Sequence, residues 1–334
     1  MEVWILFNEE VEAASSEAFE IRRFLAEGRD MGIDVKVFNP EQFDLLVTAD
    51  ATESVLIDGN VMPLPDFVLP RTYVIDTGYF ALAVIRQLER LGVRTYNNSA
   101  TIETVADKLH THQVLIEHGL PTPVTMLAKF PVNFDLVEKT IGFPVVVKTL
   151  LGVNGTGVFL IEDRKSFEDQ MGLIAETNPN IQLIFQKFIA RSKGVDIRAF
   201  VLNGRVIAAM ERRAAPGGFK ANFSQGGSVK QIQPDKNAID IAVKTAEALN
   251  IQVAGIDLLY AEDGGYTVCE ANTFPGFKGL ESACEGLNVP REIFLDMQKE
   301  LAAQKQSGVL FQLKNLLLSR HSRGERGLRK RKRG

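Results

Sequence analysis

Cysteine is scarce. Cys269 and Cys284 are the only two in 334 residues, too few for a disulfide framework and without metal-ligand spacing. That scarcity suits a reducing cytoplasm, the expected location. Histidine is nearly as rare. His110, His112, His118 and His321 include one close pair at i, i+2, which a helix would point apart, so no zinc site is expected. There is no run of eighteen apolar residues, so no membrane-spanning helix and no membrane partner are expected. The opening MEVWILFNEE has no basic segment and turns acidic at Glu9, so it reads as a first strand rather than a signal peptide. No internal repeat and no Ser-His-Asp or Cys-His arrangement is visible.

What is present is ordinary for a folded chain of two or three compact units: 45% hydrophobic and 24% charged residues. The net charge of −4 hides an asymmetry. Residues 319–334 carry eight Arg or Lys against one Glu, a net of +7, which leaves the preceding 318 residues near −11. The body therefore has no bias towards nucleic acid. The tail is a separate object, read either as a solvated terminus or as a dock for RNA or another acidic partner.

The first hundred residues alternate strand and helix. VWILF (3–7), IDVKVF (33–38), DLLVT (44–48), FVLP (67–70) and VRTYN (93–97) read as strands. Ser15 can cap a helix running to about Met31, and a second helix at 77–92 stops at Gly92. Asp58-Gly59 between two apolar runs signals a hairpin. A small open sheet with helices on its faces follows from this order. TIETVADKLHTHQVLIEHG then reads as one helix, stopped by Gly119, Pro121 and Pro123. From residue 142 the texture is strand-dominated, apart from a helix at 235–251.

Three clusters carry chemistry. In GIDLLYAEDGGYTVCEAN, setting Ala261 opposite Tyr266 puts Asp257 opposite Glu270, with Asn272 on the same face two residues on. Like charges grouped in this way suit a hard cation such as Mg2+, although two acids on a solvent-facing strand are the plainer alternative. Upstream, Lys148 lies inside the apolar strand FPVVVKTL, where an anion must pair with it. It precedes a loop with Gly152, Gly155 and Gly157. Taken alone, such a loop is more commonly a glycine-rich turn. The lysine before it and the acidic hairpin after it turn the reading towards phosphate binding. Neither a Walker GK[ST] ending nor a dinucleotide fingerprint followed by a helix is present. Between these clusters, Arg198, Arg212, Arg213 and Lys220 concentrate around apolar strands. They could hold a phosphoryl group or a carboxylate, or simply pair with Asp196 and Glu211.

These clusters in this order resemble the ATP-grasp superfamily, and within it the RimK-like glutamate ligases. VVVKTLLGVNGTGV, FQKFI, GVDIRAFV, AAMERRAAPGGFKANFSQGGS, VAGIDLL and CEANTFPGFKGLE carry the likeness, which is strong over roughly residues 65–285. The resemblance implies an ATP-grasp fold of mixed α/β and α+β character. An open parallel pre-ATP-grasp sheet would span 1–97, a lid-like central subdomain 98–187, an antiparallel C-terminal subdomain 188–314 and a basic tail 315–334. It implies an ATP-dependent ligase that activates a carboxylate as an acyl phosphate and adds an amine, with glutamate as the amino acid and the acceptor left open. Ligases for another amino acid or a cofactor tail are the alternative. Lys108 and Lys148 would contact ATP phosphates, and Gln186, Lys187 and Phe188 would form the adenine hinge. Asp196 would meet the ribose, and Lys220, Ala221 and Asn222 would contact the nucleotide further. Asp257, Glu270 and Asn272 would hold two Mg2+ ions, for which Mn2+ could substitute. Arg212 would lie near the acyl phosphate, and Arg71, Arg198, Phe277 and Lys278 would meet substrate. A homo-oligomer, dimer or tetramer, is expected on the same ground. Lys187 replaces the usual hinge acid and Lys220 the commoner arginine.

Overall fold

A computed structural model describes residues 1–48, 55–72, 74–150, 157–221 and 226–304. Strand β1 (Glu2–Leu6) leads through helix α1 (Ser16–Asp30) to the parallel strand β2 (Asp34–Phe38). Helix α1 starts where the Ser15 hydroxyl accepts from Ala18 N at 3.1 Å, and it buries Ala18, Ile21 and Phe24 at helical spacing. Strands β3 (Phe43–Leu45), β4 (Val55–Ile57) and β5 (Asn60–Val61) form a small antiparallel sheet. Its hairpin turns on Asp58 and Gly59, with φ of 49° and 73°, as the Asp-Gly pair implies. Strand β6 (Phe67–Pro70), helix α2 (Val74–Arg90) and strand β7 (Arg94–Thr95) complete a parallel sheet of order β2-β1-β6-β7.

The next segment departs from the single helix expected. It forms α3 (Ser99–Ala106) and α4 (Lys108–Glu117), broken at Asp107, whose ψ is 104°. The Asp107 carboxylate accepts from His110 N at 2.9 Å, so it caps a new helix in place of extending the old one. The break makes Lys108 the first residue of α4.

A second sheet follows, built from β8 (Thr125–Leu127), β9 (Val145–Thr149), β10 (Val158–Ile161) and β11 (Leu183–Lys187). It is antiparallel in the order β10-β9-β11-β8. Helices α5 (Phe134–Thr140) and α6 (Arg164–Thr177) cover it. Its core centres on the fully buried Phe167, whose ring lies 5.0–5.9 Å from those of Phe185, Phe143 and Phe134. The last sheet contains β12 (Val195–Leu202), β13 (Arg205–Arg213), β14 (Ser228–Gln231), β15 (Val253–Tyr260) and β16 (Tyr266–Asn272), in the order β14-β13-β12-β15-β16. Helix α7 (Lys236–Ala248) packs on one face, and α8 (Lys278–Ala283) and α9 (289–304) follow β16.

Alternation along β12 sets up everything that follows. Ile197, Ala199 and Val201 pack towards α7, while Phe200 and Leu202 face the other way, into a core shared with Ile5, Phe24 and Phe67 of the first sheet. The first and last units are thus fused through one core. Helices α3 and α4 join the α7 side through Val105 and Leu115. In packing terms the central unit begins at β8 rather than at residue 98, because its core draws only on 126–185. The basic tail lies outside the described residues.

Phe167→Ala empties the middle of that separate core. It is expected to lower unfolding free energy by about 3–5 kcal/mol. Urea denaturation followed by tryptophan-independent circular dichroism checks this, and an unchanged midpoint would show that the aromatic cluster carries no weight.

Candidate active site

A cleft of about 910 Å³ opens between the central sheet and the C-terminal sheet. Val146 and Lys148 of β9 and Val158 of β10 form one wall. Asp196, Arg212, Asp257 and Glu270 form the other, and Lys187, Phe188 and Ile189 line the strand-to-loop exit of β11.

The acidic wall follows from register. Asp196 pairs with Arg212 across β12–β13, Arg198 with Asp257 across β12–β15, and Asp257 with Glu270 across β15–β16. Residues opposite one another share a face, so all five project away from α7. The Asp257–Glu270 pairing is the one expected, but it arises differently. At the turn Tyr260, not Ala261, stands opposite Tyr266, and a bulge between Asp257 and Leu258 shifts the ladder by one. The extra residue is Cys269, which a straight hairpin would aim at the opposite face from Glu270. Both line the cleft, while Val268 and Ala271 stay in the α7 core. Cys269 is a cleft residue that the sequence pattern did not bring to notice, as are Ser192 and Phe219. The Cys269 Sγ lies 3.8 Å from Lys148 Nζ, and burial pushes the thiol pKa up.

Four charges lock together on this face. Arg198 holds Asp257 with two bonds of 2.7 and 2.8 Å, and Arg212 holds Asp196 with two bonds of the same lengths. Arg212 Nη2 also reaches Asp257 Oδ2 at 2.8 Å. Burial alone would raise the Asp257 pKa, but the two guanidiniums outweigh it and hold it at about 2. Burial would likewise weaken the Arg212 charge, yet Asp257 and Asp196 reverse the direction and raise its pKa. The plainer alternative for the arginines therefore divides. Arg213 pairs with Glu211 at the surface, whereas the Arg212 pair is buried in the cleft.

Opposite this wall stand two lysines. Lys148 is buried, as its apolar strand implied, and Lys108 enters from the start of α4. Burial, reinforced by Lys148, lowers the Lys108 pKa against the pull of Glu270. Behind the hinge, Gln186 donates to His112 Nε2 at 2.9 Å and to Thr125 Oγ1 at 2.9 Å. His112 Nδ1 then donates to the Thr122 hydroxyl. Only neutral imidazole fits this pattern, and burial with two nearby lysines pushes the His112 pKa down to about 4.

Other expected site residues divide into three groups. Lys220 and Ala221 line the cleft, but Gly152, Gly155 and Asn222 lie outside the described residues. Gly157 closes the glycine loop at φ 73°, and a Cβ there would lie 2.7 Å from the Thr149 side chain, so no other residue fits without a shift. Arg71 and Phe277 are not presented to the cleft. Arg71 is paired with buried Glu20, and Phe277 is fully buried 5.6 Å from the ring of Phe24. Their expected contact with substrate is corrected to a structural place, whereas Lys278 is exposed. The donor set fits a hard cation: two carboxylates in register and Asn272, two residues from Glu270, offer oxygen ligands. Among the described residues no three His, Cys, Asp or Glu side chains gather at one point, so phosphate oxygens would have to complete any such shell.

Similarities to known proteins extend over nearly the whole chain. The family model described as RimK-like ATP-grasp domain matches residues 105–296, and the RimK PreATP-grasp domain matches residues 1–102. A probable alpha-L-glutamate ligase 1 of Shewanella amazonensis is 36% identical over 291 residues, 87% of this chain and 94% of that protein. A probable alpha-L-glutamate ligase of Trichodesmium erythraeum is 35% identical over 284 residues, 85% and 93% of the two chains. Among solved structures, the ATP-grasp ligase PsnB, complexed with a phosphomimetic variant of its minimal precursor, Mg and ADP, superposes with a TM-score of 0.70 at 17% identity. That match covers 89% of this chain and 97% of PsnB. D-alanine–D-alanine ligase from Bacillus anthracis complexed with ATP gives 0.64 at 19% identity, over 92% and 99%. These two share the fold.

The His112 environment fixes a pH dependence. A histidine whose folded pKa falls from 6.5 to about 4 stabilises the fold when neutral. That contribution is complete above 6.5 and is lost as pH falls towards 4, by about 3 kcal/mol at most. His112→Gln is expected to flatten the stability profile across this window. Equal slopes for both proteins in denaturant titrations at pH 7, 6, 5 and 4.5 would count against the assignment.

Proposed function

The chain belongs to the RimK-like ATP-grasp family and is a ligase of that kind, and on this premise we propose that it adds L-glutamate to a carboxylate of a peptide, protein or small-molecule acceptor, using ATP and Mg2+. One observation carries the reading: Asp196, Arg212, Asp257 and Glu270 share one face of the C-terminal sheet, across a cleft from Lys108 and Lys148. A triphosphate needs cations on one side, and a divalent ion needs oxygen ligands on the other. Both are supplied in one cleft.

The roles are those that the family likeness implies and that each side chain's chemistry allows. Lys108 and Lys148 neutralise phosphate oxygens, and the backbone at Lys187 and Phe188 meets the adenine, with Gln186 held rigid behind it. Asp196 meets the ribose, and Gly152, Gly155, Gly157, Lys220, Ala221 and Asn222 complete the nucleotide contacts. Asp257, Glu270 and Asn272 would hold the metal, as two Mg2+ ions or with Mn2+ in their place. Bound there, the metal supplies charge neutralisation for phosphoryl transfer. The acceptor carboxylate takes the γ-phosphoryl group and becomes an acyl phosphate, releasing ADP. The glutamate amine then attacks that carbonyl, an amide forms and phosphate leaves. Arg212, always charged, stabilises the acyl phosphate, and Arg198 and Lys278 orient carboxylates. No protein nucleophile is required.

The second reading, a ligase for another amino acid or a cofactor tail, turns on what the exposed Gly276 and Lys278 of the loop 274–278 meet. ADP release measured with each amino acid, against a panel of peptides with free C-terminal carboxylates, separates the two. Glutamate is expected to raise turnover most, and preference for another amino acid would decide for the second. Asp257→Ala with Glu270→Ala is expected to abolish ADP release, and native turnover by that double variant would end the proposal. The basic tail, read as a solvated terminus or as a dock for RNA or another acidic partner, is expected to have no catalytic role. Deleting 319–334 should therefore leave ADP release with a small acceptor unchanged, and salt-sensitive RNA retention lost on deletion would decide for the dock. A fall in ADP release would place the tail in the reaction instead.

A further inference from the structure

The segment that leaves the metal-site strand, 273–278, is held along its backbone by side chains of the first unit. Asn97, fully buried, donates to Thr273 O at 2.7 Å and accepts from Gln252 N and Val253 N at the start of β15. Arg71 donates to Pro275 O at 3.3 Å. Glu20 Oε1 accepts from Phe277 N at 2.6 Å and from Lys278 N at 3.2 Å. Glu20 and Arg71 also pair with each other, and their side chains are only 2% and 8% exposed.

Glu20 stands on the core side of α1, among Ala18, Ile21 and Phe24, where an apolar residue would pack as well. A buried ion pair of this kind is weak evidence for stability, since apolar replacements of both partners are often neutral. What apolar residues could not supply is the acceptor for two backbone N–H groups 257 and 258 residues away. The far side of the loop touches the site. A Cβ built on Gly255 would lie 2.7 Å from Pro275 Cβ and 3.6 Å from Arg198 Nε. Gly255 pairs with Asn272 and stands two residues before Asp257. Pro275 therefore packs over Gly255 on the side where Arg198 lies, and the loop leans on the strand that carries the acidic wall.

From these contacts we infer that Glu20 and Arg71 are positioning residues for the ligase reaction: they clamp 275–278 against Gly255 and so set how the exposed Gly276 and Lys278 meet the amino-acid or peptide substrate. The inference rests on the function proposed above. It gives Arg71 a place behind the loop, and it makes the first unit a determinant of substrate affinity without touching substrate. Glu20 and Arg71 touch none of the residues proposed to contact adenine or phosphate, so nucleotide affinity is expected to change little when the clamp is removed.

The test compares wild type with two double variants, E20M/R71M and E20Q/R71M. Both remove the charge pair whole, so neither leaves a lone buried charge. Only the second keeps an oxygen that can accept from Phe277 and Lys278. Two readouts are taken: amide hydrogen exchange at 277 and 278, and steady-state ADP release with L-glutamate and a short peptide bearing a free C-terminal carboxylate. In E20M/R71M the two amides are expected to exchange about tenfold faster or more, and KM for glutamate or peptide to rise about tenfold with the Kd for ATP within about twofold. In E20Q/R71M both readouts return towards wild type. Freed amides with an unchanged KM overturn the positioning role and leave the ligase reading intact. Amides equally protected in all three proteins overturn the clamp itself. A wild-type protein that releases no ADP with either substrate fails the underlying function, and this inference with it. Should E20M/R71M not fold, R71K decides. It keeps the charge but lacks the fork that reaches both Glu20 and Pro275 O, so a raised KM supports the clamp and an unchanged KM overturns it.

Discussion

Two carboxylates and two guanidiniums on adjacent strands, all buried but the half-buried Arg198, hold the site together. Asp196, Arg198, Arg212 and Asp257 sum to no net charge, and each carboxylate is met by a planar fork. Removing Arg212 leaves the buried Asp196 carboxylate charged and without its fork, a loss of roughly 3–5 kcal/mol for such pairs. The register of β13, β12 and β15 brings the four groups into reach. A divalent cation entering with the triphosphate would offset part of its negative charge, and that couples nucleotide to metal through elementary electrostatics.

Packing divides the molecule unevenly around this network. The first and last units share one core, in which Phe24, Phe277 and Phe294 meet edge to face. The central sheet has a core of its own around Phe167. The cleft lies where these two bodies face each other: the acidic wall and Lys108 are anchored by the larger body, and Lys148 by the smaller. A central sheet with a private core can shift as a body without unpacking its neighbour. The segment 273–278 belongs wholly to the larger body, tied there by Asn97, Arg71 and Glu20.

Much of this was legible in residue order. Ser15 and Asp235 begin helices because their oxygens reach the N–H three residues on, a local event that no distant residue alters. Asp58-Gly59 turns for an equally local reason, the ease with which both adopt positive φ. Asp107 was harder. A helical apolar period runs through it, and its capping role appears only once the side chain is seen to prefer His110 N to solvent. Arg71 and Phe277 misled because an arginine and a phenylalanine near a Gly-Pro loop look the same from sequence whether they face substrate or core.

By itself the sequence determined that Lys148 lies inside an apolar run and that residues two apart along each strand, such as Asp196 and Arg198, share a face. Strand alternation has a period of two residues, and that is a property of the covalent chain. Only the tertiary structure decided the bulge that brings Cys269 into the cleft, the burial of Arg71 against Glu20, and the joining of first and last units in one core. These depend on contacts between residues up to 258 positions apart, whose free energy is set by packing and desolvation that no local pattern encodes.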